Sequence, residues 1–544
     1  MPLSLLTDTN LIEQITSAGF ELQNDLESSA PDSKEPQKKW SSFKKQITRL
    51  MKASAKKQLG KMTNKINALK KDILELEQRE DIDTHDKTRT SLAFLRQEHQ
   101  HLEQKINKNE TAKAKARWFD KGEKINKYWT KINNPRKPRD IIHAMRDPET
   151  DKITTRSSDM TEIARKYHND IQSSHLLHYD HPERRAAITE VLQQIPESQK
   201  LNAPEADINN PITSNQVVNA LLSSKNGTAT GLDGIPYELW KLLHDRHTQL
   251  SKQNKPSFDV AECLTTLYNN IQRLGTDEEA DFSVGWMCPI YKKKDRTRIE
   301  NYRPITLLNT DYKIMTKVLA MQLATHACSL LHQDQSGFVP SRSIFDPIRL
   351  AETMCAYADY MEENGAIVAL DQEKAYDKID HKYMLDSLRA FRLPNIFVNT
   401  VDALYQNART KIIINGVTSN AYIITRGVRQ GDPLSCLLFD LAIEPLAAYI
   451  RNTPNLKGYE IPNTGKTIKV NLYADDTTIY LSSSDKYHDL ENILTKWCLA
   501  SGAKFNLEKT EIIPIGTETH QKRLTQTRQI HPDDPPSPPA LKLQ

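Results

Sequence analysis

The stretch NLYADDTTIYL (471–481) decides how this chain is read. Strand-forming residues alternate into Tyr473-Ala474-Asp475-Asp476 and resume through Ile479 and Leu481, a pattern that predicts a β-hairpin with two adjacent aspartates at its tip. Two carboxylates side by side repel. At about 4 Å and an effective dielectric near 20 the cost is about 4 kcal/mol. Such a pair persists where cations neutralise it or where water reaches it. Working outward, GAIVALDQEKAYDKIDH (365–381) supplies a second acidic strand end: small and apolar residues lead into Asp371, and a helix-like stretch follows. Carboxylates delivered from strand ends are rigidly placed, and all-oxygen ligation suits Mg²⁺ or Mn²⁺. Asp371 with Asp475 could hold two such ions about 3.5–4 Å apart, the spacing used for in-line phosphoryl transfer. Taken singly, each element has a plainer reading: an Asp-Asp turn is a common solvated hairpin tip, and an aspartate after a strand commonly caps a helix. The argument rests on the ordered set.

Charge is distributed unevenly. Over the 544 residues the net charge is only +4, yet residues 36–140 hold 28 Lys and Arg against 13 Asp and Glu, a local excess of +15, which leaves −11 for the remainder. A basic block on an acidic chain points to a polyanionic partner, nucleic acid first and an anionic membrane surface second. Within it, Leu59, Met62, Ile66, Leu69, Ile73 and Leu76 follow 3,4 spacing, which resumes at Leu92, Leu95, His99, Leu102 and Ile106. This predicts two amphipathic helices in a hairpin with basic outer faces, a coiled-coil dimer being the competing arrangement. In KAKARWFDKGEKINKYWTKINNPRKPR (113–139), Trp118, Phe119, Tyr128 and Trp129 interleave with Lys121, Lys124 and Lys127. Cations there would meet phosphates while aromatic faces stack on unpaired bases. An amphipathic helix with its aromatics in a core is the alternative.

Composition sets further bounds. Hydrophobic residues make up 38% and charged residues 26%, and mean hydropathy is −0.64, so part of the length is expected outside a core. No run of 18 apolar residues is present, and the start MPLSLLTDTNLIEQ lacks the basic and apolar regions of a secretory signal. Six cysteines without a C-x-x-C pair exclude a disulfide scaffold and a legible zinc site and suit a reducing compartment.

Read in order, the segments resemble the reverse transcriptases of non-LTR (LINE-type) retrotransposons over roughly residues 110–520. GLDGIPYELWK (231–241) resembles the entry to the family's fingers, and MCPIYKKKDRTRIENYRPITLLNTDYKIMTKVLAMQL (287–323) its basic fingers motifs. QSGFVPSRSIFDPI (335–348), with Arg342, resembles the block that follows. DQEKAYDKIDH (371–381), RGVRQGDPLSCLLFDLAIEPL (426–446), YADD (473–476) and SGAKFNLEKTEIIPIG (501–516) resemble its four successive palm motifs. WFDKGEKINKYW (118–129) is similar to the stretch preceding the polymerase.

The resemblance implies an α+β right-hand polymerase fold of palm and fingers behind a basic α-helical arm. The implied division is a flexible N-terminal segment (1–35), a nucleic-acid-binding helical and basic-aromatic region (36–140), an extension (141–230), fingers (231–350), palm (351–520) and a disordered proline-rich tail (521–544). It implies RNA-directed DNA synthesis from dNTPs on an RNA template and DNA primer, with two Mg²⁺ or Mn²⁺ ions on Asp371, Asp475 and Asp476. Tyr473 and Ala474 would complete the active-site hairpin, with Lys509 a proton donor to pyrophosphate. Arg303 and a lysine among Lys292–Lys294 would grip the triphosphate. Tyr376 would exclude a ribose 2′-hydroxyl, and Gln430 and Gly431 would border the incoming base, glycine because the backbone must approach closely. Trp118, Phe119, Lys121, Lys124, Lys127 and Arg342 would contact nucleic acid. An upstream endonuclease has no room and the chain stops about 28 residues after the fourth palm motif, so a largely absent thumb and low processivity are expected. A non-catalytic RNA-binding remnant or an intron-maturase-like protein are the alternatives. The expected setting is the nucleus or a cytoplasmic ribonucleoprotein, with no secretion.

Overall fold

The computed structural model of the chain describes residues 3–30, 32–77, 91–99, 141–172, 176–202, 207–461, 465–538 and 541–543. The basic-aromatic segment, with Trp118, Phe119, Lys121, Lys124 and Lys127, lies outside them. Among the described residues no helix is long and apolar enough to cross a membrane.

The N-terminal region departs from expectation. Residues 1–35 were expected to be flexible, but α1 (Thr9–Glu27) is a regular helix, capped by the Asp8 carboxylate accepting from the Leu11 amide. Its Leu11, Ile12, Ile15, Ala18, Leu22 and Leu26 are buried in the main core. Their three- and four-residue spacing is an amphipathic signature that the polar composition around it hid. Following it, α2 (Glu35–Glu77) is one long helix. Its first half is not a free arm: Trp40, Phe43, Ile47 and Met51 enter the same core, and Trp40 Nε1 donates to Asp311 Oδ2 at 2.8 Å. In the far half of α2, Ile66 and Leu69 are buried, as is Leu92, and Lys65 pairs with Glu98 at 2.6 Å; the rest of the expected hairpin lies outside the described residues.

After α3 (Ser157–Gln172) come β1 (Val284–Tyr291) and β2 (Tyr302–Leu307), an antiparallel pair. In the region expected as palm (351–520) the first strand is β3 (Gly365–Leu370). The next strand, β4 (Arg409–Ile414), joins the first sheet instead, pairing parallel with β1. Packing of α3 Met160 and Ala164 against Met287, Ile412 and Ile414 closes one face of that sheet. The palm continues with α4 (Ser435–Asn452), almost wholly buried, then β5 (Val470–Tyr473), β6 (Asp476–Ser482), α5 (Tyr487–Ser501), β7 (Glu511–Ile515), α6 (Glu518–Thr527) and β8 (Lys542–Leu543). Its sheet has the order β5-β6-β3-β7-β8, antiparallel except for β7/β8. The central β3, GAIVAL, is covered on both faces, so it is apolar without alternation.

The tail is a second correction. Residues 521–544 were expected to be disordered, yet α6 runs to Thr527, Ile530 and Leu541 are buried, and β8 extends the palm sheet. Arg528 donates to the main-chain oxygens of Ser537 and Pro538 at 3.2 and 2.9 Å. Asp534 accepts from the Tyr487 amide at the start of α5 at 2.8 Å. Prolines remove amide donors, but side chains here satisfy the segment's carbonyls and the helix end it covers.

Candidate active site

Register alone brings the acidic residues together. In the β5/β6 hairpin Tyr473 pairs with Asp476, so the two-residue tip is Ala474-Asp475 and Asp476 is the first residue of β6, not part of the tip as expected. Thr477 pairs with Leu370 across β6 and β3. In an antiparallel pair the next step on each strand places Asp476 beside Asp371. Gln372 Nε2 donates to the main-chain oxygen of Asp475 at 3.5 Å, and the Asn506 amide donates to that of Asp371 at 2.7 Å.

The hairpin is held from behind. Segment 334–337 runs along it through a parallel bridge between Gln335 and Leu472. The buried Gln335 Oε1 accepts from the Ala474 amide at 2.9 Å and from the Gly337 amide at 2.8 Å. Ala474 sits at φ 55°, a left-handed conformation that costs a non-glycine residue on the order of 1–2 kcal/mol. Gly337 has no side chain for a packing reason: a Cβ there would lie 2.3 Å from the Ala474 nitrogen.

Asp371, Asp475 and Asp476 open into one cleft of about 690 Å³. Burial first, and then the charge of its neighbours, Asp476 foremost, raise the Asp475 carboxyl above its ordinary range. Burial and Asp371 do the same to Asp476, and Lys292 pulls both back. Lys509 Nζ lies 3.0 Å from Asp371 Oδ2. Among the described residues no three His, Cys, Asp or Glu side chains form a preformed metal cage. The donor set nonetheless fits a divalent ion: oxygen only, carried on strand ends, with mutual repulsion that a cation would relieve.

Of the three fingers lysines, Lys292 lines the cleft together with Arg303, whereas Lys293 and Lys294 do not. Tyr376 also lines it, its ring stacked on Phe439 at 4.6 Å and 20°. Gln430 and Gly431 are tied to β2: the Thr306 amide donates to the Gln430 main-chain oxygen at 2.9 Å. Gly431, at φ 115°, leaves no room for a Cβ, which would lie 2.5 Å from the Thr306 oxygen. Arg342 is placed differently: its guanidinium is engaged by main-chain oxygens of Gln335 at 2.7 Å and Leu331 at 3.0 Å, bracing the segment behind the hairpin.

Several wall residues were not anticipated. Tyr167 and His168 reach the cleft from α3, and Lys374, at φ 52°, places its ammonium 4.3 Å from the Tyr167 ring centroid. Burial lowers the Lys374 pKa and pushes the neighbouring Asp377 carboxyl up to about 6. Gln335 opens the stretch QSGFVPSRSIFDPI, where no local signal marks it as a brace. No spacing rule joins Tyr167 to residues two hundred positions away.

A family model described as "Reverse transcriptase (RNA-dependent DNA polymerase)" matches residues 291–530. The chain is 30% identical over 300 residues to the "Transposon TX1 uncharacterized 149 kDa protein" of Xenopus laevis, covering 55% of this chain and 22% of that protein. It is 27% identical over 227 residues to the "Retrovirus-related Pol polyprotein from type-2 retrotransposable element R2DM" of Drosophila melanogaster, covering 41% and 21%. It is 19% identical over 307 residues to the "RNA-directed DNA polymerase from mobile element jockey" of Drosophila funebris, covering 55% and 31%. The matches thus span about a fifth to a third of these curated relatives. Residues 291–530 thus match the reverse transcriptase family model, and proteins of retrotransposable and mobile elements are among the chain's relatives.

Proposed function

We propose that the cleft carries out RNA-templated DNA synthesis, a primer 3′-hydroxyl attacking the α-phosphate of a dNTP with release of pyrophosphate. The observation that carries this reading is the β3/β6 register, which sets Asp371 beside Asp476 in a cleft that also holds Tyr376, Arg303 and Lys292. Asp371, Asp475 and Asp476 would hold two Mg²⁺ or Mn²⁺ ions, which when bound acidify the attacking hydroxyl and neutralise the departing phosphates. The remaining roles fall to the chain's own groups. Arg303 and Lys292 bind the triphosphate as fork and point charge. Tyr376, fixed by its stack on Phe439, meets the sugar and excludes a 2′-hydroxyl. The Gln430-Gly431 backbone, tethered to β2, forms a flat rest for the incoming nucleotide. Lys509, already on the carboxylate side of the cleft, gives a proton to the pyrophosphate oxygen. RNA template, DNA primer and dNTPs are then the substrates, in the nucleus or in a cytoplasmic ribonucleoprotein.

Primer extension on an RNA template with Mg²⁺ tests the reading. Incorporation by the native chain that disappears in Asp475→Ala supports it. Equal incorporation by the two proteins would assign the signal to a contaminant and remove the proposal.

A further inference from the structure

Among the described residues three lysines line the catalytic cleft, and the proposed reaction uses two of them. Lys509 lies on Asp371 at 3.0 Å, and Asp475 and Asp476 both feel the charge of Lys292. Lys374 has no such partner: among the described residues no carboxylate lies within ion-pair distance of its ammonium. The adjacent Glu373 is taken by Lys378 at 2.9 Å and Lys504 at 3.4 Å. Glu300, which also lines the cleft, pairs with Arg298 at 3.3 Å.

The Lys374 ammonium rests instead on an aromatic face, 4.3 Å from the centroid of the Tyr167 ring. A ring holds a cation in place without neutralising it. It also leaves N–H groups for another acceptor, since an ammonium carries three donors. Both members of the pair are fixed. Lys374 has φ 52° and ψ 52°, a left-handed backbone that is uncommon for a residue with a side chain and gathers at binding sites. Its main-chain oxygen accepts from the Asp377 amide at 2.8 Å. Tyr167 comes from α3, whose last residue, Gln172, accepts the Thr425 and Arg426 amides on one side-chain oxygen, both at 2.8 Å. The Tyr167 hydroxyl has no hydrogen-bond partner among the described residues, so the ring is what serves Lys374. Glu300, just before β2, acts electrostatically on both Lys374 and Tyr167, which sets the pair on the side of the cleft that carries Arg303.

We propose that Lys374, steadied by the Tyr167 ring, is a further binding residue for the incoming triphosphate, its ammonium donating to an outer phosphate beside Arg303. Tyr167 is then a positioning residue that acts through Lys374. The proposal rests on the polymerase reading for the nucleotide; the unpaired cation and its ring are read from their own geometry.

The test is equilibrium binding of inorganic tripolyphosphate with Mg²⁺ to the full chain, without primer, template or nucleoside. Lys374→Met is expected to weaken binding by about 10- to 100-fold, the loss of one hydrogen bond from a charged group. Lys374→Arg keeps a cation that stacks on the ring and should bind near the native level. Tyr167→Leu is expected to weaken binding by about 3- to 30-fold, the worth of a desolvated cation–π contact, whereas Tyr167→Phe keeps the ring and the affinity. In single-nucleotide extension Lys374→Met should raise KM for dNTP with kcat near native. Its selection of dCTP over CTP should also stay native, because Tyr376, two residues on, is undisturbed. Native-level tripolyphosphate binding in both Lys374→Met and Tyr167→Leu overturns the proposal, as does a native chain that does not bind tripolyphosphate. A loss of sugar selection in Lys374→Met equally overturns it, since the lysine would then act by shaping the Tyr376 turn. The binding arm needs no turnover, so a chain that binds tripolyphosphate through Lys374 yet extends no primer would sink the catalytic reading alone.

Discussion

Lys509 holds its ammonium 3.0 Å from Oδ2 of Asp371, and both side chains remain partly exposed. The pair therefore adds little to stability, under about 1 kcal/mol, but it sets a lysine cation on the carboxylate that a divalent ion would also seek. Lys509→Ala is expected to leave the melting temperature within about 3 °C. It should reduce the Mg²⁺ concentration for half-maximal activity and cut the maximal incorporation rate by about 100-fold, the low end for loss of a general acid. A Mg²⁺ titration of single-nucleotide incorporation reads both effects. A variant with unchanged maximal rate would leave Lys509 as a surface ion pair.

Burial and neighbouring carboxylates raise the pKa of Asp475 and Asp476. A carboxyl whose pKa is higher folded than unfolded makes the folded state bind more protons. Stability then falls as pH rises from the ordinary carboxylate range through the raised value, and the cost is full above it. Asp475→Asn is expected to raise the melting temperature by about 1–3 °C at pH 7 in EDTA while abolishing incorporation. With Mg²⁺ present the native chain should recover stability and the variant should not. Paired thermal melts with and without the ion decide this.

Tyr376 stacks on Phe439 at 4.6 Å inside the cleft, which fixes the ring that the proposed reaction sets under the incoming sugar. Tyr376→Ala is expected to relax selection of dNTP over rNTP by 10- to 200-fold, the range of about 1–3 kcal/mol that pocket shape supplies. Tyr376→Phe keeps the ring and should keep the selection. Competition between dCTP and CTP in single-nucleotide extension measures the ratio. Equal selectivity in Tyr376→Ala would move the gate elsewhere.

The strands that carry the acidic residues were more legible in the sequence than the two ends of the chain. The hairpin at 471–481 could be read because alternation and an acidic turn are local signals, and β3 because six small or apolar residues precede Asp371. The register of β3 against β6, which makes these a site, is tertiary and left no mark on either segment. The placement of Tyr167 and Gln335 is invisible for the same reason. The errors share a different cause. In α1, Leu11, Ile12, Ile15, Leu22 and Leu26 repeat at helical spacing, but the polar residues between them make the segment hydrophilic as a whole. In the tail, proline density suggested disorder, whereas Ile530 and Leu541 find a core and Arg528 gathers its carbonyls.

The packed N-terminus makes a prediction of its own. Gly19 in α1 lies so close to Phe258 that a Cβ would sit 2.5 Å from its Cδ1. Gly19→Val overpacks this contact and is expected to cost about 1–3 kcal/mol, seen as a lower denaturant midpoint with an unchanged slope. At temperatures where the variant is folded, its incorporation rate should match the native chain, since α1 contributes nothing to the cleft. An unshifted midpoint would mean that α1 is not docked on the core in solution.

The last prediction concerns the brace behind the hairpin. One amide oxygen, Gln335 Oε1, accepts from Ala474 at 2.9 Å and Gly337 at 2.8 Å, and this holds Ala474 at φ 55°. Gln335→Leu fills similar volume but leaves both amides without an acceptor, which costs about 1–3 kcal/mol each where they are buried. The strained tip is then free to relax and carry Asp475 with it. Gly337→Ala pushes the same tip from the other direction, because its Cβ would meet the Ala474 nitrogen at 2.3 Å. A displacement of about 1 Å at a reacting group can cost 100-fold in rate. Both variants should therefore lose about that much kcat while KM for dNTP stays near native, since neither touches Arg303 or Lys292. Gln335→Glu keeps an acceptor oxygen at the same reach and should retain more activity than Gln335→Leu. If the two Gln335 variants are equally impaired, the hydrogen bonds to Gly337 and Ala474 do not set the hairpin.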